Sequence, residues 1–383
     1  MIRAARRGPA ARRAGPAWPR VGFGAAAVGL LVVAPVLLSD FRLSLLAKYL
    51  CFAIVAVGID LAWGYGGMLT LGQGVFFGLD GYAMGMWLKL QDAGPGGLPD
   101  FMSYSGLDHV PWFWRPFSSG WVALTAAIAV PVALATGLGL LIFRQRVRGA
   151  SFAILTQALA AAFVILLVGQ QRYTAGTNGL TNMKQLFGYD LDDPANQRAL
   201  YVVVAVALGA VYLLARQLVS SRYGRLLVAV RDAEDRVRFL GYNPTTVKTL
   251  AFAVSAGMAG LAGALFVPVV GIMSPALLGV VPSLELLIGV AVGGRATLVG
   301  AVLGTVVVNY AKTGLSEQFA SGWLYLQGAL FIAVVAFAPK GLAGLADLAR
   351  RRRRVAADRH AGVDLPTAPT PVPAPASSLV HHP

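Results

Sequence analysis

The sequence predicts an all-α, polytopic membrane protein with about ten transmembrane helices. Only 13% of its residues are charged and 57% are hydrophobic, and the mean hydropathy of +0.66 lies outside the range of soluble globular domains. The apolar residues fall into segments of roughly 20, the length that crosses a hydrocarbon core. The lysines and arginines lie between these segments, so the formal net charge of +15 indicates membrane topology and not a nucleic-acid partner.

The order of these segments divides the chain into three regions. Residues 1–20 are basic, residues 21–345 form the membrane domain, and residues 346–383 form a basic, then Pro/Ala-rich tail that we expect to be disordered. The first apolar run is long and no clean cleavage site follows it, so it is counted as a span and not as a signal peptide. The predicted spans are residues 21–38, 43–63, 69–88, 121–143, 150–169, 199–219, 249–270, 276–293, 296–310 and 323–338.

The distribution of basic residues supports an even number of spans. With ten spans, both termini are cytoplasmic, and the cytoplasmic segments hold 24 of the 32 lysines and arginines. A shift by one span would place most of this charge outside the cell. The eighth and ninth segments are near the lower length limit and are expected to be tilted, broken or short.

Residues 221–244 form the longest charged stretch between two spans. Their spacing predicts a short amphipathic helix, in which Asp232 pairs with Arg236 and Glu234 with Arg238, each four residues apart. The helix is predicted to end at the following glycine and proline. The apolar face is predicted to comprise Ala229, Ala233, Val237 and Leu240. Such a helix is either a solvated connection between spans or a docking element for a cytoplasmic partner.

Motifs for catalysis and cofactor binding are missing from the sequence. None of the six lysines follows a glycine, so there is no P-loop, and neither G-x-S-x-G nor H-E-x-x-H occurs. The single cysteine, Cys51, lies in an apolar run, and three of the four histidines lie in the tail. We therefore predict no metal, no cofactor and no catalytic residue, and an intramembrane enzyme is disfavoured.

Three acidic residues lie within the predicted spans: Asp60, Asp80 and Glu285. A charge at membrane depth is costly, which makes each one a functional hypothesis by default. For Asp60 and Glu285 we expect a hydrogen-bonded carboxyl at a helix contact or a position near an interface. The role of Asp80 stays open, because glycines around it let backbones approach closely.

Neutral polar side chains provide further candidate solute contacts. Gln73, Gln157, Asn178 and Asn309, together with Asp80, form the candidate translocation path, which suits a small uncharged or zwitterionic solute. Their alternative role is hydrogen bonding between helices, worth about 0.6–2 kcal/mol each. The scarcity of buried charge disfavours an ion-coupled carrier.

Two glycine-rich stretches occupy similar places in the two halves of the chain, at residues 64–85 and 289–304. Close helix packing through small residues is one explanation, and a partly unwound segment beside a translocation path is the other. Paired interruptions of this kind indicate a duplicated five-helix core, in which spans 2–5 of the first half correspond to spans 7–10 of the second half.

Several motifs in order resemble the permeases of branched-chain amino-acid ABC transporters. They are GYGGMLTLGQGVFFGLDGYAMGM (64–86), TNGLT (177–181), RDAEDRVRFLGY (231–242), AFAVSAGMAGLAGALF (251–266), VAVGGRATLVGAVLG (290–304) and PKGLAGL (339–345). Other pieces, GYAMGMWL, LPDFM (98–102), PWFWRPF (111–117) and ILTQALA (154–160), resemble the C-type permease subunits of urea ABC transporters. Gln73 stands where relatives carry His or Gln, so it does not discriminate between solutes. Asp80 departs from the pattern, because relatives usually carry a small residue there.

The resemblance implies a bacterial inner-membrane importer for urea, with short amides or branched-chain amino acids as the alternative solutes. Its partners would be a second homologous permease, two cytoplasmic ATPases and a periplasmic binding protein. Residues 231–241 would form the coupling helix that lies in a groove of an ATPase. The residues implied in this coupling are Arg231, Asp232, Glu234, Arg236, Arg238 and Gly241. A stand-alone carrier or channel is the alternative of a different class.

Overall fold

The computed structural model describes residues 29–94, 96–147, 149–318, 322–337, 341 and 344. The described part is built from ten principal helices and short connecting elements. The helices are α1 (Asp40–Ile59), continued by a π-helical turn (Asp60–Tyr65), α2 (Gln73–Ala93), α3 (Gly120–Arg144), α4 (Ala150–Gly169), α5 (Pro194–Ser220), α6 (Arg222–Phe239), α7 (Pro244–Val270), α8 (Val280–Gly293), α9 (Leu298–Gln318) and α10 (Trp323–Phe337).

The helices between residues 40 and 270 correspond to the predicted spans 2–7 and to the charged helix between spans 6 and 7. Residues 21–28 of the predicted first span lie outside the described residues, and the rest of it forms a π-helical turn Gly29–Val33 followed by a short helix Ala34–Leu37. The basic N-terminal segment also lies outside the described residues, as does nearly all of the chain beyond residue 337.

Six helices of the described part are long and apolar enough to cross a membrane. They are α1 with its π-helical turn, α3, α4, α5, α7, and α9 as far as Leu315. Helix α2 is not among them because its glycines and polar residues lower its hydropathy. Helices α8 and α10 have only 14 and 15 residues. The chain is therefore a multi-pass membrane protein, and the count of ten spans stays a prediction.

Helices α1 and α7 form the centre of the molecule. In the most apolar stretch of each of these two helices, 78% is buried inside the protein. The corresponding buried share is only 28–33% in α3, α4, α5 and α9. The outer helices expose large apolar side chains such as Ile154, Ile165 and Val206. An apolar outer surface is expected of helices that face lipid, because lipid tails are as apolar as the side chains themselves.

Aromatic side chains and glycines together pack α2 against the central pair. The Phe77 ring lies 6.1 Å from Phe52 of α1 and 5.2 Å from Phe266 of α7, between ring centroids. Gly263 of α7 faces the backbone of α2 at the Phe77 carbonyl, and a Cβ at Gly263 would overlap that oxygen. The close approach of α2 and α7 thus depends on a glycine of α7, whereas the glycines of α2 face the loops after α4 and α7: Gly74 and Gly78 lie against Leu278, Gly81 against Met273 and Gly85 against Leu180.

Substituting Gly263 with alanine is expected to destabilise the permease. The added methyl group would have to push two helix backbones apart, and overpacking of this kind costs about 1–3 kcal/mol. Gly209→Ala is the matched control, because the same methyl group on α5 would meet nothing within 4 Å. Thermal unfolding in detergent should show a lowered midpoint for Gly263→Ala alone. Equal midpoints for the two variants would contradict this packing.

The loops on the side opposite to α6 contain the short strands. Strand β1 (Leu180–Thr181) pairs antiparallel with β4 (Ile272–Met273), and β2 (Gln185–Leu186) pairs with β3 (Tyr189–Asp190) in a hairpin. The β1–β4 pair joins the loop after α4 to the loop after α7. The Trp114 indole donates a hydrogen bond of 3.1 Å to the Tyr173 carbonyl, so the aromatic loop before α3 packs on the end of α4.

Candidate functional site

The candidate site is helix α6, which lies between α5 and α7 at the end of the molecule where the π-helical turn follows α1. Ser221 caps its N-terminus, because its side-chain oxygen accepts a hydrogen bond from the Gly224 amide. At the other end, Gly241 adopts a positive φ of 86°, and the Tyr242 amide donates back to the Val237 carbonyl. The predicted stop at Gly241 is therefore confirmed.

The predicted apolar face of α6 is half wrong, and the helix is kinked at Ala233 (φ −154°, ψ 69°), which is itself half-buried. Val237 is buried as expected, whereas Ala229 and Leu240 are exposed. The kink changes the direction of the helix in the middle of the predicted stripe. The apolar side chains that are buried although they were not predicted to be are Leu227 and Val230.

The kink also separates one of the two predicted ion pairs. Asp232 and Arg236 stand on opposite sides of Ala233, and the Asp232 carboxylate accepts instead from Arg231 at 2.8 Å. This hydrogen bond lowers the pKa of the exposed Asp232 carboxyl, which keeps it charged. Arg236 is exposed on the second half of the helix.

Glu234 anchors the second half of α6 to the membrane domain. Its carboxylate accepts from Arg238 at 3.3 Å, as predicted, and from the Lys248 ammonium of α7 at 2.6 Å. Both Glu234 and Lys248 have side chains only 10% exposed, so this pair is largely shielded from water. The same ammonium lies 5.8 Å from the centre of the Phe143 ring of α3. Glu234 therefore joins α6 to α7, and its partner Lys248 also contacts α3.

Arg231 anchors the first half of α6 to the end of α1. Its Nη1 donates a hydrogen bond of 2.6 Å to the Gly64 carbonyl in the π-helical turn. Gly67, with φ +69°, lies against the Arg231 side chain, and a Cβ there would come within 2.6 Å of Cγ. Turns of π-helix often mark functional sites. Here the turn receives the guanidinium of the charged helix.

The π-helical turn also contacts the connection between α8 and α9. Asp60 Oδ1 accepts a hydrogen bond of 2.7 Å from the Ala296 amide, which confirms the expected hydrogen-bonded carboxyl at a helix contact. Arg295 stacks over Trp63 at 5.1 Å from the ring centre. We call Arg231, Gly64, Asp60 and Ala296 the relay, because these four residues connect α6 to α1 and then to the α8–α9 turn.

A cavity of about 440 Å³ lies under the kink of α6. It is lined by the glycines before α2 and by the charged residues of α6: Gly66, Gly67, Gly149, Val230, Arg231, Asp232, Ala233, Glu234, Asp235, Arg236 and Lys248. At the far end of α6, Phe239, Leu240 and Tyr242 are 91%, 76% and 55% exposed. We call these three residues the apolar tip. An exposed apolar cluster of this kind, rimmed by charge, is typical of a protein-binding surface.

Gln73 and Asp80, two of the predicted path residues, lie in the centre of the molecule on α2. The Gln73 amide donates a hydrogen bond of 2.9 Å to the Ser255 hydroxyl of α7, which in turn donates 2.7 Å to the Gly58 carbonyl of α1. Asp80 is fully buried, and within the described residues its carboxyl oxygens have no hydrogen-bond partner. Gly260 of α7 provides the space that the carboxyl occupies, because a Cβ at Gly260 would overlap Oδ2.

The other three path residues make no hydrogen bond to these two within the described residues, although Thr156, beside Gln157, contacts the backbone of Leu71 and Gly72 next to Gln73. Gln157 is half-buried on α4, and Asn178 is exposed in the loop after it. Asn309 is 8% exposed on α9 and donates 2.9 Å to the Thr305 carbonyl of its own helix. None of the five residues lines the cavity under the kink of α6, and their role in a path stays a proposal.

Sequence reasoning missed three lysines that pair with, or lie near, the acids. Lys248 pairs with Glu234 only because the chain reverses between α6 and α7, and no local pattern reveals that contact. Lys312 donates to both oxygens of Glu285, at 2.6 and 2.7 Å, which confirms that Glu285 is hydrogen-bonded. Lys48 lies within a predicted span, so the sequence alone could have identified it as an ionisable residue at membrane depth.

Comparison with known families and proteins finds transport permeases. The family model for the branched-chain amino acid transport system permease component matches residues 41–335. The permease protein LivM of the high-affinity branched-chain amino acid transport system of Salmonella typhimurium is 26% identical over 340 residues, which cover 82% of this chain and 73% of LivM. The corresponding LivH protein of Escherichia coli K12 is 23% identical over 76% of this chain and 91% of LivH.

A more distant relative is the ribose import permease protein RbsC of Escherichia coli K12. It is 26% identical over 209 residues, which cover 51% of this chain and 61% of RbsC. No solved structure matches the chain at a significant level.

Proposed function

Because the chain belongs to the family of branched-chain amino acid transport system permease components, we propose that it forms the translocation path of an ATP-driven importer. Its relatives are transport permeases, and the chain is a permease and not an enzyme. Hydrolysis of ATP is assigned to partner subunits, since the chain has no P-loop motif. The importer lies in the bacterial inner membrane, with both termini and α6 on the cytoplasmic side.

The similarity to both LivM and LivH supports a second, homologous permease as partner. Two cytoplasmic ATPases and a periplasmic binding protein complete the proposed complex. The binding protein supplies much of the solute selection, and the permease supplies the path and the mechanical connection to the ATPases.

The observation that carries the proposal is the construction of α6. One side of this helix is anchored to α1 through Arg231 and to α7 through the pair of Glu234 with Lys248. The apolar tip at its end is exposed in the part of the chain that the structure describes. A helix that is attached to the spans and apolar at its free end is suited to bind in a groove of an ATPase and to transmit the movement of that ATPase to the membrane domain.

The relay describes how movement of α6 would reach the spans. A displacement of α6 pulls on the Gly64 carbonyl through Arg231, and Gly64 adjoins both Asp60 and Ala296. The π-helical turn and the α8–α9 turn would therefore move with α6 as one body. Packed elements of this kind shift as rigid units, because close-packed interiors do not deform continuously.

We propose urea as the solute. The supporting features are the pieces GYAMGMWL, LPDFM and PWFWRPF, of which LPDFM forms the start of a short helix with Met102 fully buried. Branched-chain amino acids are the second candidate, favoured by the names of LivM and LivH. The path residues are proposed to be Gln73, Asp80, Gln157, Asn178 and Asn309.

A cysteine crosslink tests the position of α6. In a Cys51→Ala background, which removes a buried thiol, Arg236→Cys is expected to react only from the cytoplasmic side and to crosslink to an ATPase. Asp108→Cys is the control, since Asp108 is exposed in the loop before α3, on the other side. Labelling of Arg236→Cys from the outside, or solute transport in vesicles without any ATPase, would refute the importer and favour a stand-alone carrier. Uptake of urea and of leucine by the reconstituted complex distinguishes the two solutes.

A further inference from the structure

Two irregular segments meet at the first turn of α2, in the interior of the molecule. The first, residues 66–72, follows the π-helical turn and leads into α2 at Gln73. The second, residues 271–279, follows α7 and contains strand β4 and a short 3-10 turn (Pro275–Leu278). Irregular backbone at membrane depth is tolerated where it is buried in protein or lines a cavity. The place where both segments adjoin α2 is therefore a candidate binding site.

The start of α2 lies beside the middle of a span. The Gln73 side chain contacts Ser255, which is about 16 Å along α7 from Pro244 and about 22 Å from Val270. The first N–H groups of a helix have no partner within the helix. The backbone amides of Gln73 and Gly74 make no hydrogen bond to any residue that the structure describes. Two donors, at the positive end of the helix dipole, therefore lie inside the protein.

The Gln73 side chain adds an acceptor at the same place. The Ser255 hydroxyl donates its one hydrogen to the Gly58 carbonyl, so it can only accept from Gln73. The amide nitrogen of Gln73 must therefore face Ser255, and Oε1 faces away from it. Oε1 is buried and has no hydrogen-bond partner within the described part of the chain. Because buried polar atoms are nearly always paired, this unpaired oxygen needs an explanation.

Ser283, in the first turn of α8, provides a second unpaired side chain. Its hydroxyl is buried and has no hydrogen-bond partner among the residues that the structure describes. It is directed at the first turn of α2, since a Cβ at Gly74 would lie 2.9 Å from Ser283 Oγ. The same Cβ would lie 2.5 Å from the Leu278 carbonyl, at the end of the second irregular segment. The bare backbone at Gly74 thus lets Ser283 and this segment approach the start of α2.

The first irregular segment separates this place from the cavity under the kink of α6. Gly66 and Gly67 begin the segment and line that cavity, whereas Gln73 follows the end of the segment. Arg231 of α6 contacts both Gly64 and Gly67. A movement of α6 would therefore act directly on the segment that lies between the cavity and the first turn of α2.

We propose that the first turn of α2 binds the transported solute, together with the side chains of Gln73 and Ser283. We call these groups the α2 site. An acyl oxygen of the solute accepts from the backbone amides of Gln73 and Gly74, and an N–H group of the solute donates to Gln73 Oε1. The Ser283 hydroxyl can pair with either group. The solute class is therefore a small molecule that carries an acyl oxygen close to an N–H donor.

Both candidate solutes belong to this class. Urea carries the oxygen and the N–H groups on one carbon, and leucine carries them as a carboxylate and an ammonium group. Gln73 and Ser283 are only 1% and 3% exposed, so the structure describes the α2 site closed between the two irregular segments. Solute would enter when the second segment moves away from α2 and would leave when the first one does. This proposal rests on the proposed function, because it assigns the solute contact within the translocation path.

Uptake by the reconstituted complex of both permeases, the ATPases and the binding protein tests the α2 site, with urea and leucine as separate probes. Ser283→Ala is expected to lower uptake of the transported solute at subsaturating concentration about three- to tenfold, because one hydrogen bond is lost. Gln73→Leu is expected to lower it more than about tenfold, because it also removes the acceptor that fixes the N–H group. Thr305→Val is the matched control and should leave uptake unchanged. The Thr305 hydroxyl is also buried and unpaired within the described residues, but it lies against Gly289 of α8.

Two further measurements separate solute contact from packing and from coupling. The thermal unfolding midpoint and the stimulation of ATP hydrolysis by solute-loaded binding protein should be the same in Ser283→Ala as in the unmodified complex. Its uptake per ATP hydrolysed should therefore fall. Unchanged uptake in both Ser283→Ala and Gln73→Leu would overturn the proposal. So would a loss confined to Gln73→Leu that is matched by a lower unfolding midpoint, since Gln73 would then act only through Ser255. If no ATPase co-purifies with the unmodified permease, or if the complex imports neither solute, the proposed function itself fails.

Discussion

Replacing Glu234 with alanine is expected to abolish solute-stimulated ATP hydrolysis while the permease still inserts in the membrane. The substitution leaves the Lys248 ammonium 10% exposed and without its counter-charge. Breaking a shielded ion pair by removing one partner costs about 3–5 kcal/mol. The second half of α6 then loses its attachment to α7, and the closure of the ATPases no longer moves the spans.

The charge-swapped double variant Glu234→Lys with Lys248→Glu separates the ion pair from other effects of the substitution. It restores opposite charges across the same contact and is expected to recover at least part of the stimulation. Asp108→Ala serves as control, because this exposed acid lies in a loop at the other end of the molecule. The measurement is ATPase activity of the reconstituted complex with and without solute-loaded binding protein. Full stimulation in Glu234→Ala would show that this anchor is not part of the coupling.

The second large effect is expected from the apolar tip. Replacing Phe239 and Leu240 together with alanine should weaken the binding of the permease to the ATPase by about 100-fold or more. Each of these side chains would be fully covered in the complex, and burying one such side chain is worth about 1.5–3 kcal/mol. Both are more than three-quarters exposed in the chain alone, so the substitutions remove no packing that the permease itself needs.

Tyr104→Ala is the control for the tip, because Tyr104 is also 91% exposed but lies at the other end of the molecule. The dissociation constant of the purified permeases for the ATPase, measured by fluorescence in detergent, should rise for the tip variant and stay constant for the control. An unchanged constant for Phe239→Ala with Leu240→Ala would exclude the tip as the docking surface.

Much of α6 was predictable from local signals. Its existence, its end at Gly241 and the pair of Glu234 with Arg238 follow from spacing and cap chemistry, which act within one or two turns. The kink at Ala233 was not predictable, because it depends on the anchoring of the two halves to different spans. Arg231 holds one half to α1, and Glu234 holds the other half to α7.

The candidate path shows the same division. Gln73, Asp80 and Asn309 were recognised as polar residues at membrane depth, because composition alone marks them. Their surroundings were not predictable, since Ser255 next to Gln73 and Gly260 next to Asp80 both come from α7, far away in the sequence. Lys248 and Lys312, which pair with Glu234 and Glu285, were missed for the same reason.

The sequence by itself determined that the chain crosses a membrane several times and where most of its helices begin and end. These properties depend on segment length, hydropathy and caps, which are local. Only the tertiary structure decided which charges meet: Arg231 with Gly64, Glu234 with Lys248, and Glu285 with Lys312. The partners in these contacts lie between 14 and 167 residues apart, and the packing of α1, α7, α8 and α9 brings them together. Because an ion pair at or near membrane depth depends on that packing, no local pattern specifies it.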